Sequence, residues 1–176
     1  MRKTENTTTS YIANLRDGQA LRKYYFAYGA NCHLKSMSSR CPAAICVGKS
    51  LIEDHKLALR TTADIQASDG DSVHGALWMI TRQCEFALDW YEGFPHHYTK
   101  RQVSVIHESL GELDAMVYVM VGRACQEPPR AAYRDVIAQG YVDLGISMRQ
   151  LNVAVLEAHH RSNEAVEKIR RNELDY

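Results

Sequence analysis

"YYFAYGANCH", residues 24–33, begins as an apolar aromatic strand and stops abruptly at Gly29 with a short polar run behind it. A run so rich in rings reads as a strand covered on both faces. The break has two readings. Gly and Asn are ordinary turn formers, so the strand can simply end in a turn. Alternatively, a residue without Cβ lets another molecule approach the chain closely, and the bend then aims its backbone N–H groups at a ligand.

Working outward, "NCHLKSMSSRCPAA" offers a short helix ended by Pro42. Two strand-like runs follow, 45–52 and 56–60, broken at Glu53-Asp54. "TTADIQASDGDS" (61–72) reads as a polar loop with an Asp-Gly turn signal, and "VHGALWMI" as the next strand. "GKS" at 48–50 lacks the spacing of a phosphate-binding loop and reads as a strand turn. "KRQVSVIHESLGELDAMVYVMV" gives two strands joined near Leu110-Gly111. Pro128-Pro129 starts a helix expected to end at Gly140, and a last stretch from about Ser147 carries Leu151, Val155 and Leu156. Successive strands with a few interspersed helices argue for an α+β fold built on a small barrel-like or strongly curved sheet with helices outside.

The helix "RQCEFALDWYEG" shows most. Thr81 can cap its start, and Gly93 with Pro95 marks its end. Cys84, Ala87, Leu88 and Tyr91 form an apolar stripe. Glu85, Asp89 and Glu92 form an acidic stripe beside it, and the first two read as a solvated face. Glu92 differs. It lies at the negative end of the helix dipole, among Trp90, Tyr91, Phe94 and Pro95, and both circumstances raise a carboxyl pKa. That makes Glu92 a candidate general acid/base.

The 176 residues suit one domain, with 21 Lys+Arg against 21 Asp+Glu and zero net charge, so no electrostatic footprint points to nucleic acid or an acidic membrane. No run is long and apolar enough for a membrane span, and the polar N-terminus lacks the apolar core of a secretory signal. Five cysteines without a C-x-x-C pair indicate a reduced, cytoplasmic type of protein. The adjacent pairs His96-His97 and His159-His160 point apart on any regular element, so no metal site is expected. The expected organisation is a loose N-terminal arm (1–22), one domain (23–160) and a charged, helical C-terminal tail (161–176).

Two separated elements match one family. "YFAYGAN" (25–31) resembles the Y-x-x-Y-G-S-N loop of the gamma-glutamylcyclotransferase family, and "ALDWYEGFPHHYTKRQVSV" (87–105) resembles its L-D-x-x-E-G segment with the tyrosine and strand that follow. "DGDSVHGALWMIT" and "PPRAAYRDVIAQGYVDLGIS" resemble its G-x-x-V-x-G-x-x-W strand and its tyrosine-containing helix. The resemblance implies a small closed β-barrel of mixed strands flanked by helices, with a pocket at one end.

It also implies the chemistry. A gamma-glutamyl amino acid or amine is converted to 5-oxoproline and the free amine by lactam formation, with Glu92 as acid/base and no cofactor. Tyr25, Phe26, Ala27, Tyr28, Gly29, Ala30 and Asn31 correspond to the substrate loop, and Tyr98 and Tyr133 to aromatic substrate contacts. The implied partner is a small-molecule gamma-glutamyl compound; homodimers occur in the family, and zero net charge does not oppose one. Ala30 stands where the family has serine and Ser147 where it often has proline. A non-catalytic module for a gamma-glutamyl metabolite, and removal of a gamma-glutamyl protecting group from a larger amine, stay open as alternatives.

Overall fold

The computed structural model describes residues 22–122 and 125–174, with side chains through 168. Its strands are β1 (Arg22–Ala27), β2 (Ile45–Arg60), β3 (Thr62–Thr81), β4 (Tyr98–His107) and β5 (Gly111–Met120). They form a closed barrel in the order β1-β3-β2-β4-β5. All pairings are antiparallel except β1 with β5, which closes the barrel in parallel at Tyr25 and Met116. The helices are α1 (Leu34–Arg40), α2 (Arg82–Glu92), α3 (Ala131–Asp143) and α4 (Arg149–Leu174). This is the expected α+β barrel of mixed strands flanked by helices. Residues 1–21 of the expected arm lie outside the described residues, and Arg22 already pairs with Thr81.

The core accounts for the aromatic run of β1. Tyr25, Phe26, Ala27 and Tyr28 are all buried, and Phe26 pairs with Leu77 across the seam with β3. Leu88 and Cys84 of α2, Ile137 and Tyr141 of α3, and Leu151, Ala154 and Ala158 of α4 complete the same apolar cluster. Lys56 of β2 reaches Glu157 of α4 at 2.9 Å, a partly exposed pair that adds orientation more than stability.

Several sequence expectations are corrected. Residues 61–72 are not a loop but the first half of β3, which pairs with β2 from Arg60↔Thr62 onward. The chain reverses at Thr61, whose φ is 68°. The segment is polar because residues 66–72 lie on an exposed ribbon with little apolar surface to cover. Its Asp-Gly signal is spent on a bulge. Between the pairs Glu53↔Ser72 and His55↔Ala67, β2 contributes Asp54 alone while β3 contributes residues 68–71. There Asp54 takes φ 55° and its carboxyl accepts from the Gly70 N–H at 2.9 Å. The runs 45–52 and 56–60 are therefore one bent strand. Gly48 of the "GKS" run likewise sits inside β2, at a register shift, with φ 138°.

The helix from Pro129 does not stop at Gly140; it runs on to Asp143. Gly140 is required for a different reason. A Cβ there would lie 2.5 Å from the Cys32 carbonyl carbon and 2.5 Å from the His33 nitrogen. The helix packs backbone to backbone against the turn at Ala30–Cys32. Gly140→Ala is expected to push α3 off that turn at a cost of about 1–3 kcal/mol, read as a lowered thermal midpoint.

Candidate active site

β1 ends at Ala27, and the chain turns through Tyr28 and Gly29 into a short 3-10 turn at Ala30–Cys32. The Cys32 N–H donates to the Gly29 carbonyl at 2.9 Å, and the His33 N–H to the Ala30 carbonyl at 3.2 Å. Gly29 has φ −110°, so its role is close approach and not a left-handed backbone. An added Cβ would sit 2.9 Å from the Ala63 Cβ and 3.3 Å from the Tyr133 oxygen. Tyr133 itself accepts from the Ala63 N–H at 3.1 Å and faces the Ala30 amide.

Opposite this bend stands the end of α2. Thr81 caps the helix by accepting from the Cys84 N–H at 3.2 Å, and Gly93, with φ 63°, closes it. The Phe94–Pro95 peptide beyond it is cis. Glu92 is the last helical residue, and its Oε1 accepts from Asn31 Nδ2 at 2.8 Å. Burial pushes its carboxyl up to about 7; the Arg40 guanidinium and the Asn31 hydrogen bond pull the other way. Loop and carboxylate thus share one hollow.

That hollow is narrow and walled by rings. Tyr25, Tyr28, Tyr91, Tyr98, Tyr118 and Tyr133 line it together with Gly29, Ala30, Asn31, Ala63 and Glu92. The phenols are mostly tied back. Tyr98 donates to the Ala63 carbonyl at 2.6 Å, Tyr28 to the Tyr118 carbonyl at 2.7 Å, and Tyr118 to Asp89 at 2.5 Å. Tyr25 packs edge-on against Tyr118 at 5.7 Å. Burial raises the phenols of Tyr25, Tyr28, Tyr98, Tyr118 and Tyr133 further above their ordinary value.

Of the residues singled out from sequence, Tyr25, Tyr28, Gly29, Ala30, Asn31, Glu92, Tyr98 and Tyr133 converge on the hollow. Phe26 and Ala27 are not among its lining residues; both side chains belong to the barrel core. Glu85 and Asp89 are not a solvated face. Lys100 of β4 reaches both at 2.7 Å, and Lys23 of β1 also pairs with Glu85. The pattern of α2 alone could not show this, because both cations come from other elements. Among the described residues no group of three His, Cys, Asp or Glu could hold a metal ion.

Five contributors were missed, among them Tyr91, which the sequence showed as part of an apolar stripe and a neighbour of Glu92 and which lines the hollow. Arg40 donates to Asn31 Oδ1 and lies over the Tyr91 ring, 3.3 Å from its centroid. Trp78 donates its indole N–H to the Asn31 carbonyl at 3.1 Å. Ala63 and Tyr118 supply wall. The one available signal was Arg40, a lone cation in the last turn of the helix that follows the bend.

A closed mixed barrel whose strand-end bend faces a helix-end glutamate across a ring-walled hollow defines the class of fold and site. The chain matches the family described as "Gamma-glutamyl cyclotransferase, AIG2-like" over residues 25–140. It is 27% identical over 146 residues to a gamma-glutamylcyclotransferase of Bos taurus, covering 76% of each chain. To the Homo sapiens gamma-glutamylcyclotransferase it is 25% identical over 159 residues, covering 82% of this chain and 84% of the relative. A solved structure named gamma-glutamyl cyclotransferase superimposes with a TM-score of 0.65 at 26% identity, over 73% of this chain and 83% of that one. The chain belongs to this gamma-glutamyl cyclotransferase, AIG2-like family, a family of enzymes. Among the described residues, no helix is long and apolar enough to cross a membrane.

Proposed function

We propose that the chain converts a gamma-glutamyl amino acid or amine to 5-oxoproline and a free amine, with Glu92 as the acid/base. The observation that carries this reading is the Glu92 carboxyl, shifted to about 7 and hydrogen-bonded to Asn31 within the hollow of the 28–31 bend. In solution the substrate's α-amine is held as an ammonium and cannot attack, and the amide nitrogen leaves poorly until protonated. One carboxyl poised near neutrality serves both steps.

Glu92 takes a proton from the α-ammonium. The freed amine attacks the γ-carbonyl carbon, and a C–N bond closes the five-membered ring. Glu92 returns the first proton to the departing nitrogen as the old amide C–N bond breaks, then takes the ring nitrogen's second proton and passes it to the freed amine, which leaves as an ammonium. No water is consumed. In this reading backbone N–H groups of the bend hold a substrate oxygen, the Ala30 N–H exchanging its present contact with the Tyr133 oxygen for it, and preorganised donors of this kind contribute several kcal/mol. A hollow fenced by tethered rings favours a folded glutamyl chain, an orientation contribution to rate.

The test is incubation with a panel of gamma-glutamyl amino acids and amines and an assay for 5-oxoproline. Tight binding of one member with no turnover of any would favour a binding module instead. Because the base form of Glu92 starts the reaction, kcat/KM is expected to rise tenfold per pH unit below about 7 and level off above it. A flat profile from pH 5 to 8 contradicts the assignment.

A further inference from the structure

The site contains one cation that neither the proposed chemistry nor the family's motif residues above employ. Arg40 is the last residue of α1, where the negative end of the helix favours a positive charge. Its guanidinium lies over the ring of Tyr91, the neighbour of Glu92 on α2, and one of its N–H groups donates to Asn31 Oδ1. We infer that Arg40 is a positioning residue: it fixes the Asn31 amide so that Asn31 donates to Glu92, and so sets the orientation and charge environment of that carboxyl. This rests on the function proposed above.

The hydrogen-bond accounting around Asn31 leaves little freedom. Its amide has two N–H donors and one oxygen. The donors go to Glu92 Oε1 at 2.8 Å and to the Tyr25 oxygen at 2.9 Å. A flipped amide would set its oxygen against the carboxylate oxygen, two acceptors with no proton between them. Arginine is donor-only, so the group facing it must be the Asn31 oxygen. The Asn31 backbone is already held by the Trp78 indole, which leaves the side-chain orientation as the variable that Arg40 decides.

The charge balance points the same way. The ionisable groups set around Glu92 are Arg40 from α1, Tyr25 from β1, Tyr28 from the bend, Tyr91 from α2, Tyr98 from β4, Tyr118 from β5 and Tyr133 from α3, with the Tyr118 hydroxyl tied to Asp89, itself paired with Lys100. Burial raises the phenols of Tyr25, Tyr28, Tyr98, Tyr118 and Tyr133, which keeps them neutral, and the charge that favours the Glu92 carboxylate is that of Arg40. Lysine could supply the charge but not the flat face that stacks on Tyr91 while keeping a fixed fork of donors.

The experiment compares wild type with Arg40→Lys, Arg40→Gln and Arg40→Met. In Arg40→Gln and Arg40→Met the acid limb of kcat/KM is expected to move up by about one pH unit or more, as follows from losing an opposite charge at close range. kcat at pH 7 should fall roughly tenfold or further, with KM changed much less. Arg40→Lys should keep the limb near its wild-type position while lowering kcat, because charge is retained and geometry is not. An unmoved limb in Arg40→Gln overturns the inference. So does a large rise in KM with limb and kcat intact, since Arg40 would then be a direct ligand of the substrate.

A second measurement needs no substrate. The Glu92 side-chain carboxyl is titrated by ¹³C NMR in the ligand-free protein, its signal assigned by its loss in Glu92→Gln. The midpoint should rise in Arg40→Gln, and an unchanged midpoint counts against the inference. If no gamma-glutamyl compound is turned over by wild type, the proposed function fails while this titration still decides the role of Arg40. Should Arg40→Met fail to fold, the Gln and Lys variants carry the comparison.

Discussion

Glu92→Gln is expected to lower turnover roughly 10²–10⁴-fold, the range for losing a general acid/base, while leaving gamma-glutamyl ligand binding nearly intact. The substitution is almost isosteric, and its amide oxygen can still accept from Asn31 Nδ2. The same variant should be more stable than wild type at alkaline pH. The carboxyl has an ordinary value of 4.5 and is pushed to about 7 in the folded chain, so between those values the folded state binds more protons than the unfolded one. Stability therefore falls as pH rises from 4.5 through 7. The Glu92 charge destabilises the fold fully above about 7 and not at all below 4.5. A shift of this size corresponds to about 3 kcal/mol. Denaturant unfolding at pH 8 and at pH 4.5 checks it: Glu92→Gln should gain at the first and not at the second. Equal stability at both would remove the case for a strained carboxyl. Such a trade of stability for activity is common where a catalytic group is held at a cost.

Arg60→Met is expected to cost about 3–5 kcal/mol, among the largest single effects in the molecule. Arg60 and Asp64 are both buried and flank the β2–β3 reversal. Arg60 Nη1 donates to Asp64 Oδ2 at 2.6 Å and Nη2 to the Gly122 carbonyl at 2.7 Å, while Asp64 Oδ1 accepts from the Met120 N–H at 2.9 Å. The pair ties the tip of the hairpin to the far end of β5. Removing the cation leaves a buried carboxylate with no countercharge, which is what makes a single deletion severe. The double variant Arg60→Met/Asp64→Leu should recover most of the loss. A single variant within about 1 kcal/mol of wild type by denaturant titration would contradict the account, since that is the range of an exposed pair.

The legible parts of this protein were those in which one stretch of chain carried its own explanation. The aromatic run of β1, the capped and glycine-closed α2, and the Gly111 turn between β4 and β5 each show pattern and punctuation together. Glu92 stood out because a carboxylate at a helix end among rings contradicts local preference. The first half of β3 was illegible. An exposed ribbon is polar, and its Asp69-Gly70 pair marks a bulge as readily as a turn. Asp64 was hidden by that misreading, as its buried partner lies across a reversal placed elsewhere. Glu85 and Asp89 looked solvated because their cations arrive from β1 and β4. Arg40 failed to stand out for the converse reason: a cation ending a short helix satisfies every local rule, and only the fold shows it against Asn31.

The ring-walled chamber has one more implication. Among the described residues of the hollow whose ionisation the fold shifts, five phenols are driven far from ionising and the Glu92 carboxyl alone is brought close to neutral pH. The local potential therefore has two settings and no intermediate ones. The hollow passes from opposite charges on Glu92 and Arg40 to the positive charge of Arg40 alone as the carboxyl takes up its proton.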